Sequence, residues 1–354
     1  MTTLVTGGTG FLGRHLVGKL LDRGDDVRVL TRSFDGDLAD RGVDIVEGSL
    51  TEPEDVDRAV EGVDRVYHLA GKVERRKDKA HLMYELHVDA TRLLLDALKD
   101  REIEKIVVAS TSGTVGVSED PEVVATEDSP IREDLVKDWP YYLSKIYAER
   151  LCHEFVEDHD MPIVLMRPTL LLGPGDWRQS STNDIVRFLK GKVPAAMSGG
   201  ISFVDVRDTA DAFVRAMERA EPGESYLLGQ LNLTLADFFD RLEEITGITA
   251  PNLPIPDSLM VSGAKLLDSA AKAFGKESEI DPVSVEMAQY YWYIDSSKAR
   301  RELDWEPRDP DVTLRDTVRW IQRNHPDFGP AGNRKSPPEE YVPAETVEFT
   351  QAED

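Results

Sequence analysis

Of 354 residues only one is a cysteine, Cys152, which excludes an internal disulfide and any thiolate zinc site; no metal is expected. Basic residues are scarce as well: 42 Lys and Arg face 67 Asp and Glu, a formal charge of −25. Phosphate backbones need a basic surface, so a nucleic-acid partner is not expected. The same deficit disfavours anchoring on an anionic membrane. Long apolar runs are missing too, none approaching the ~18–20 residues of a membrane helix. The opening MTTLVTGG reads as a strand entering a glycine turn, leaving no room for a cleavable presequence. A soluble, cytoplasmic protein is expected.

What is present is an alternation of apolar bursts and helical spacing. Residues 2–6, 26–31, 43–47, 63–69, 104–109 and 162–167 are Val-, Ile- and Leu-rich without clean alternation, as in strands covered on both faces. Helical patterns lie near 11–23, 53–61, 81–100 and 141–158. This repetition predicts an α/β fold, a Rossmann-type doubly wound parallel sheet. Residues 1–170 are expected to form the dinucleotide-binding core, and 171–330 a smaller substrate-binding region with segments returning to that core. The second region has a strand near 202–206, a capped helix over 234–247, and a moderately apolar helix over 259–275 expected to pack against the main domain. From Ala331 onward, six acids, two basic residues and three prolines among 24 residues predict a disordered acidic tail.

The first strand runs directly into Thr6-Gly7-Gly8-Thr9-Gly10-Phe11-Leu12-Gly13, which fits both G-x-G-x-x-G and G-x-x-G-x-x-G. Glycines permit the tight turn and close approach of backbone to a pyrophosphate, and the helix N-terminus offers unpaired N–H groups. A dinucleotide is the expected cofactor; without a Walker lysine, a nucleotide triphosphatase is not. At the end of the second strand, Val29-Leu30-Thr31-Arg32-Ser33 holds no acid for a ribose 2′-hydroxyl, and Arg32 and Ser33 suit a 2′-phosphate. NADP(H) is therefore preferred, with NAD(H) open because Asp35 and Asp37 lie just beyond. Such phosphates would bind by local donors within an unfavourable global field.

Tyr141-Tyr142-Leu143-Ser144-Lys145 sets a tyrosine and a lysine on one helical face. Pro140 suits the helix start, where the dipole favours an anionic Tyr141. A tyrosine acting near neutrality needs its pKa lowered by ~3 units, and a nearby ammonium acts in that direction. Ser110-Thr111-Ser112 directly follows the fifth strand, at the edge where ligands of such sheets bind. A hydroxyl there can hold a reacting oxygen while Tyr141 exchanges its proton.

In order along the chain, the glycine turn, His68-Leu69-Ala70-Gly71, Ser110-Thr111-Ser112, Tyr141-x-x-x-Lys145, Arg167-Pro168, Phe203-Val204-Asp205-Val206 and Asp295-Ser296-Ser297-Lys298-Ala299 resemble an extended short-chain dehydrogenase/reductase. The likeness spans roughly residues 1–325 and is greatest to the dihydroflavonol 4-reductase-like and hopanoid-associated sugar epimerase-like branch. The resemblance implies Tyr141 as acid/base, with Lys145 bonding the nicotinamide ribose and lowering the tyrosine pKa. It implies Ser112 as the orienting hydroxyl, with Ser110 and Thr111 as alternatives. It further implies backbone contacts from Leu69, Ala70 and Gly71, Pro168 beside the nicotinamide, and Arg32 at the 2′-phosphate. Where relatives carry an adenine-binding Asp, this chain has Gly48-Ser49-Leu50, so Ser49 is left to bond through hydroxyl or backbone. Where relatives carry Asn before Val-x-Gly-Thr, it has His87, read as structural.

Two departures bear on the reaction. Gly113-Thr114 replaces the Asp-Glu pair of nucleotide-sugar dehydratases, and Ser198-Gly199-Gly200-Ile201-Ser202 lacks the arginine that clamps a diphosphate in nucleotide-sugar epimerases. Arg178 and Arg187 remain as anchors or solvated charges, and Tyr142, Trp177 and Phe188 as apolar walls or core. The expectation is hydride transfer between NADPH and a small or apolar ketone or aldehyde. The alternatives are a sugar or nucleotide-sugar epimerase and a non-catalytic dinucleotide-sensing module. The partner is a small-molecule substrate, and relatives occur as monomers and as homodimers.

Overall fold

The computed structural model describes residues 1–354 except 75–76, 194, 252, 254, 274–280 and 325–354. The acidic stretch from Ala331 thus lies outside the described residues. Seven strands form one parallel sheet: β1 (Thr2–Thr6), β2 (Asp26–Thr31), β3 (Asp44–Glu47), β4 (Arg65–His68), β5 (Lys105–Ala109), β6 (Ile163–Pro168) and β9 (Ser225–Leu228). Their order is β3-β2-β1-β4-β5-β6-β9, every neighbouring pair parallel. This is the doubly wound sheet expected from the unalternating apolar bursts. The order reverses between β1 and β4, which opens a ligand crevice beyond their carboxyl ends.

Both faces are sealed. Leu16, Val17, Phe213, Met217 and Trp305 cover one, and Leu94, Leu98, Leu151 and Phe155 the other. Burial of such side chains contributes roughly 1.5–3 kcal/mol each. The chain from Val206 to Leu228, and the helix Ser297–Leu303 with Trp305, join the first of these layers rather than the substrate region.

A second sheet has the order β10-β8-β7, built from β7 (Leu170–Leu172), β8 (Gly200–Asp205) and β10 (Leu231–Thr234). It packs on Phe188, Phe238, Phe239, Leu314 and Ile321. The helix Leu235–Thr246 starts where its sequence signals it: the Thr234 hydroxyl accepts from the Asp237 amide, and Gly247 closes the last turn at φ +70°. The helix Asp257–Ala273 departs from expectation. It buries only Ala264, while Leu259, Leu266 and Leu267 stand 62%, 71% and 53% exposed. No described helix is long and apolar enough to cross a membrane.

Candidate active site

The glycine turn is a cradle of bare backbone. Gly7 has φ +72°, and a Cβ on it would lie 2.8 Å from the Ala70 amide nitrogen, so the turn rests on the Leu69–Ala70 backbone at the end of β4. A Cβ on Gly13 would stand 2.1 Å from the Gly7 carbonyl oxygen. Gly10 caps the helix Phe11–Asp22 without a side chain, so the first-turn amides of Phe11, Leu12 and Gly13 face the crevice uncapped. Backbone donors, a positive helix end and close approach together fit a dinucleotide pyrophosphate.

On the ribose side, Arg32 and Ser33 are exposed just past β2. Asp35 is buried; its carboxylate accepts from the Leu38 amide at 3.1 Å and from Arg14 Nη2 at 2.5 Å. Asp37 accepts from Arg14 Nη1 at 3.2 Å. Both acids past β2 are therefore held by Arg14. The Ser49 amide donates to Asp55 at 2.8 Å, and its hydroxyl pairs with Thr51 at 2.8 Å, so local bonds already engage both groups; Leu50 beside it is buried.

The reacting groups meet across the edge of β5. Pro140 opens the helix Pro140–His159, which places Tyr141 in its first turn and Lys145 one turn on. The Thr111 side chain comes close enough to the Tyr141 phenol to lower its pKa, and the Thr111 hydroxyl accepts from the Gly113 amide at 3.3 Å. Ser110 is turned away and donates to Glu149 at 2.5 Å. Ser112 is buried in the tight turn Ser112–Thr114, its carbonyl accepting from the Val115 and Gly116 amides. Of three hydroxyls that the sequence leaves open, Ser110 is taken up by Glu149, while Thr111 and Ser112 remain at the β5 edge.

Lys145 is held by backbone. Its Nζ donates to the Ala109 carbonyl at 2.8 Å. Burial pushes Tyr141 up to about 12, against the lowering effect of the Thr111 bond. Burial brings Lys145 down to about 8, with Glu149 and Cys152 opposing. Removal from water disfavours both charged forms. Nζ also lies beside Gly71, where a Cβ would stand 3.7 Å from it.

His87 sits in a π-helical turn, Glu85–Asp89, that interrupts the expected 81–100 helix. Its Nδ1 pairs with Ser144 Oγ at 2.8 Å, and its Nε2 accepts from the Lys72 amide at 3.2 Å. The Ser144 hydroxyl donates to the Tyr141 carbonyl at 2.8 Å.

One wall of the site is aromatic. Tyr142 lies edge-on to Tyr141 at 5.1 Å and stacks on Trp292 at 5.0 Å. Trp139 packs on Tyr142, Tyr290 and Trp292. A Cβ on Gly113 would strike the Tyr142 ring at 2.1 Å, so that glycine admits the ring. Trp292 arrives on an extended segment bridged to Ser118 and Gly200 through Tyr291. The sequence reading missed this element, although four consecutive aromatics, Tyr290–Tyr293, were there to mark it.

Other candidate walls lie elsewhere. Phe188 is 1% exposed and stacks on Phe239 in the second core, which makes it core and not a pocket wall. Trp177 packs edge-on against Trp320 at 4.9 Å, and Arg178 is exposed. Their loop is held by buried Asp176, which accepts from the amides and hydroxyls of Ser180 and Thr182 and from the Ser181 amide.

Residues 3–229 match the model of the NAD dependent epimerase/dehydratase family. The chain belongs to that family. A Synechocystis sp. protein that carries a dihydroflavonol 4-reductase name is 31% identical, over 91% of this chain and 94% of its own. Sterol demethylase protein B of Methylococcus capsulatus is 30% identical, over 91% and 98%. The crystal structure of gox2253 superposes with a TM-score of 0.79 at 28% identity, over 92% and 98%. This epimerase/dehydratase-family member is thus an NAD(P)-dependent oxidoreductase of the extended short-chain dehydrogenase/reductase type. Among the described residues no His, Cys, Asp and Glu cluster can hold a metal ion.

Proposed function

We propose that the protein reduces an apolar ketone or aldehyde with NADPH, reversibly, using Thr111 or Ser112, Tyr141 and Lys145. The cofactor would lie on Gly7, Gly10, Phe11, Leu12 and Gly13, with Arg32 at its 2′-phosphate, Ser49 and Leu50 near the adenine, and Leu69, Ala70, Gly71 and Pro168 along its length. When bound, the nicotinamide supplies the hydride or takes it back. The substrate carbonyl oxygen would accept from a hydroxyl at the β5 edge and from the Tyr141 phenol. With its pKa near 12, Tyr141 carries its proton at neutral pH, the state that donating to a forming alkoxide requires. Lys145 would bond the ribose and stabilise the phenolate left behind.

The observation that favours this reading over a nucleotide-sugar epimerase lies at the missing arginine. Ser198 bonds the Asp257 carboxylate through its hydroxyl. A Cβ on Gly200 would strike the Tyr293 hydroxyl at 2.3 Å. An acid and a phenol thus hold the place of a diphosphate clamp, and a carboxylate repels a diphosphate. The aromatic wall beside Tyr141 suits an apolar substrate, ahead of Trp177 and Arg178.

NADPH oxidation against a panel of ketones and aldehydes tests the proposal, and steady consumption is expected. Interconversion of a nucleotide sugar without net cofactor turnover would establish the epimerase instead. NADPH binding without either reaction would leave a dinucleotide sensor.

A further inference from the structure

Glu149 lies one helical turn beyond Lys145 and is 1% exposed. Four donors converge on its carboxylate. Arg167, from β6, binds it in bidentate fashion, Nε to Oε1 at 2.9 Å and Nη2 to Oε2 at 2.8 Å. The Ser110 hydroxyl reaches Oε1 at 2.5 Å and the Thr114 hydroxyl reaches it at 3.2 Å. Arg167 is itself steadied through Nη1 by Ser225 of β9 at 3.1 Å.

A carboxylate offers about four acceptor sites, and an arginine fork alone would satisfy two of them. A buried ion pair is weak evidence of stability, because desolvation offsets the attraction. Its partners carry the meaning here. Ser110 and Thr114 bracket Thr111, Ser112 and Gly113, the turn that carries both candidate orienting hydroxyls. The single Thr114 hydroxyl proton is shared between Glu149 Oε1 and the Thr111 carbonyl at 3.1 Å, so the brace reaches inside the turn. Tyr141 and Lys145 ride on the same helix as Glu149. One side chain therefore fixes the spacing between the hydroxyls of the β5 edge and the acid/base group. That spacing matters, since a shift of about 1 Å in a reacting geometry can cost about 100-fold in rate.

We propose that Glu149 is a positioning residue, which holds the Thr111–Ser112 turn in register with Tyr141 through Ser110 and Thr114. The inference rests on the proposed acid/base site and adds the means by which its two halves are kept together.

Glu149→Ala would strand the Arg167 charge and can fail to fold, so the test uses milder changes. The double variant Ser110→Ala, Thr114→Val keeps the Glu149–Arg167 pair and removes both links to the turn. Two measurements are made on it in the whole protein. Amide hydrogen exchange at Gly113, Val115 and Gly116 is expected to speed by ten-fold or more, with exchange in β1, β4 and β6 unchanged. With the best carbonyl substrate, kcat is expected to fall ten-fold or more while KM and the NADPH dissociation constant stay within about two-fold. Unchanged turn exchange, or a loss spread evenly over the sheet, overturns the brace. Faster turn exchange with unaltered kcat overturns its part in positioning. If the wild-type protein binds NADPH but reduces no carbonyl, the reaction reading fails, and the exchange data still decide whether Glu149 holds the turn.

Discussion

Arg14 Nη2 lies 2.5 Å from Asp35 Oδ2, both side chains buried, and its Nη1 reaches Asp37 at 3.2 Å. Asp35 also caps the helix Gly36–Asp40 by accepting from the Leu38 amide. The carboxylates that follow β2 thus serve the protein's own cation and cap, while Arg32 stands exposed just past the strand end. Arg32→Ala is expected to weaken NADPH binding about ten-fold, the worth of one charge-assisted contact, and to change NADH binding less than two-fold. Fluorescence titration of both cofactors checks this; equal losses would remove Arg32 from the 2′-phosphate.

Gly13 allows the helix to sit on the turn. An alanine there would bring Cβ to 2.1 Å from the Gly7 carbonyl oxygen and 2.7 Å from Gly8 Cα, and backbone cannot step aside as a flexible side chain can. Gly13→Ala is expected to destabilise the protein by about 2–3 kcal/mol, as overpacking does, and to abolish NADPH binding. The urea midpoint and a cofactor titration measure the two effects. Normal cofactor affinity in this variant would mean that the dinucleotide does not lie on the turn.

The sheet and the order of its motifs were legible because strand bursts, capping residues and glycine turns act over a few residues. The Thr234 cap and the Gly247 stop are examples, each found where its local signal stood. What escaped is set by distant partners. The π turn at Glu85–Asp89 carries His87, whose ring bonds Ser144 some 57 positions away, and no period in the sequence marks it. Phe188 and Trp292 show the same limit from opposite sides. Phe188 is buried by Phe239 of another helix, whereas Trp292 reaches Tyr142 because the 290–294 segment bridges Gly200 of β8 and the loop at Ser118 and Ala125. The burial of Tyr141 was not legible for a related reason, since spacing reports a nearby lysine but not how much water is lost.

Trp292 is expected to discriminate among substrates. Its ring is partly exposed, stacks on Tyr142 beside Tyr141, and is fixed by donation from Nε1 to the Met287 carbonyl at 3.2 Å. Trp292→Ala should lower kcat/KM about ten-fold or more for an aromatic or polycyclic carbonyl, chiefly through KM, because an aromatic contact is worth ~1 kcal/mol beyond its buried area. A short aliphatic aldehyde should be nearly unaffected. Parallel losses for both would show that the cluster supports the fold and not the substrate.

Tyr141→Phe removes the proton but keeps the ring that packs on Tyr142 and His87. Turnover is expected to fall at least ~100-fold, the usual contribution of general acid–base catalysis, with the NADPH dissociation constant unchanged. Retained turnover would remove Tyr141 from the chemistry.

Three buried histidines give the fold an acid limit. Burial brings His15 down to about 4, His68 to about 3 and His87 to about 2, and the Lys145 charge adds to the last two. Unfolded, each titrates near 6.5. Between that value and the folded one, the unfolded chain binds more protons, so stability is complete above pH 6.5 and falls as pH drops below it. One unit lower, at pH 5.5, each histidine withdraws about 1.4 kcal/mol. Neutralisation of the surplus carboxylates acts in the opposite direction, so the cleanest measure is a difference between variants. His87→Asn should lose about 1.4 kcal/mol less than the wild type when the urea-derived stability is followed from pH 7.5 to 5.5. Identical pH slopes would mean that His87 takes up its proton in the folded protein.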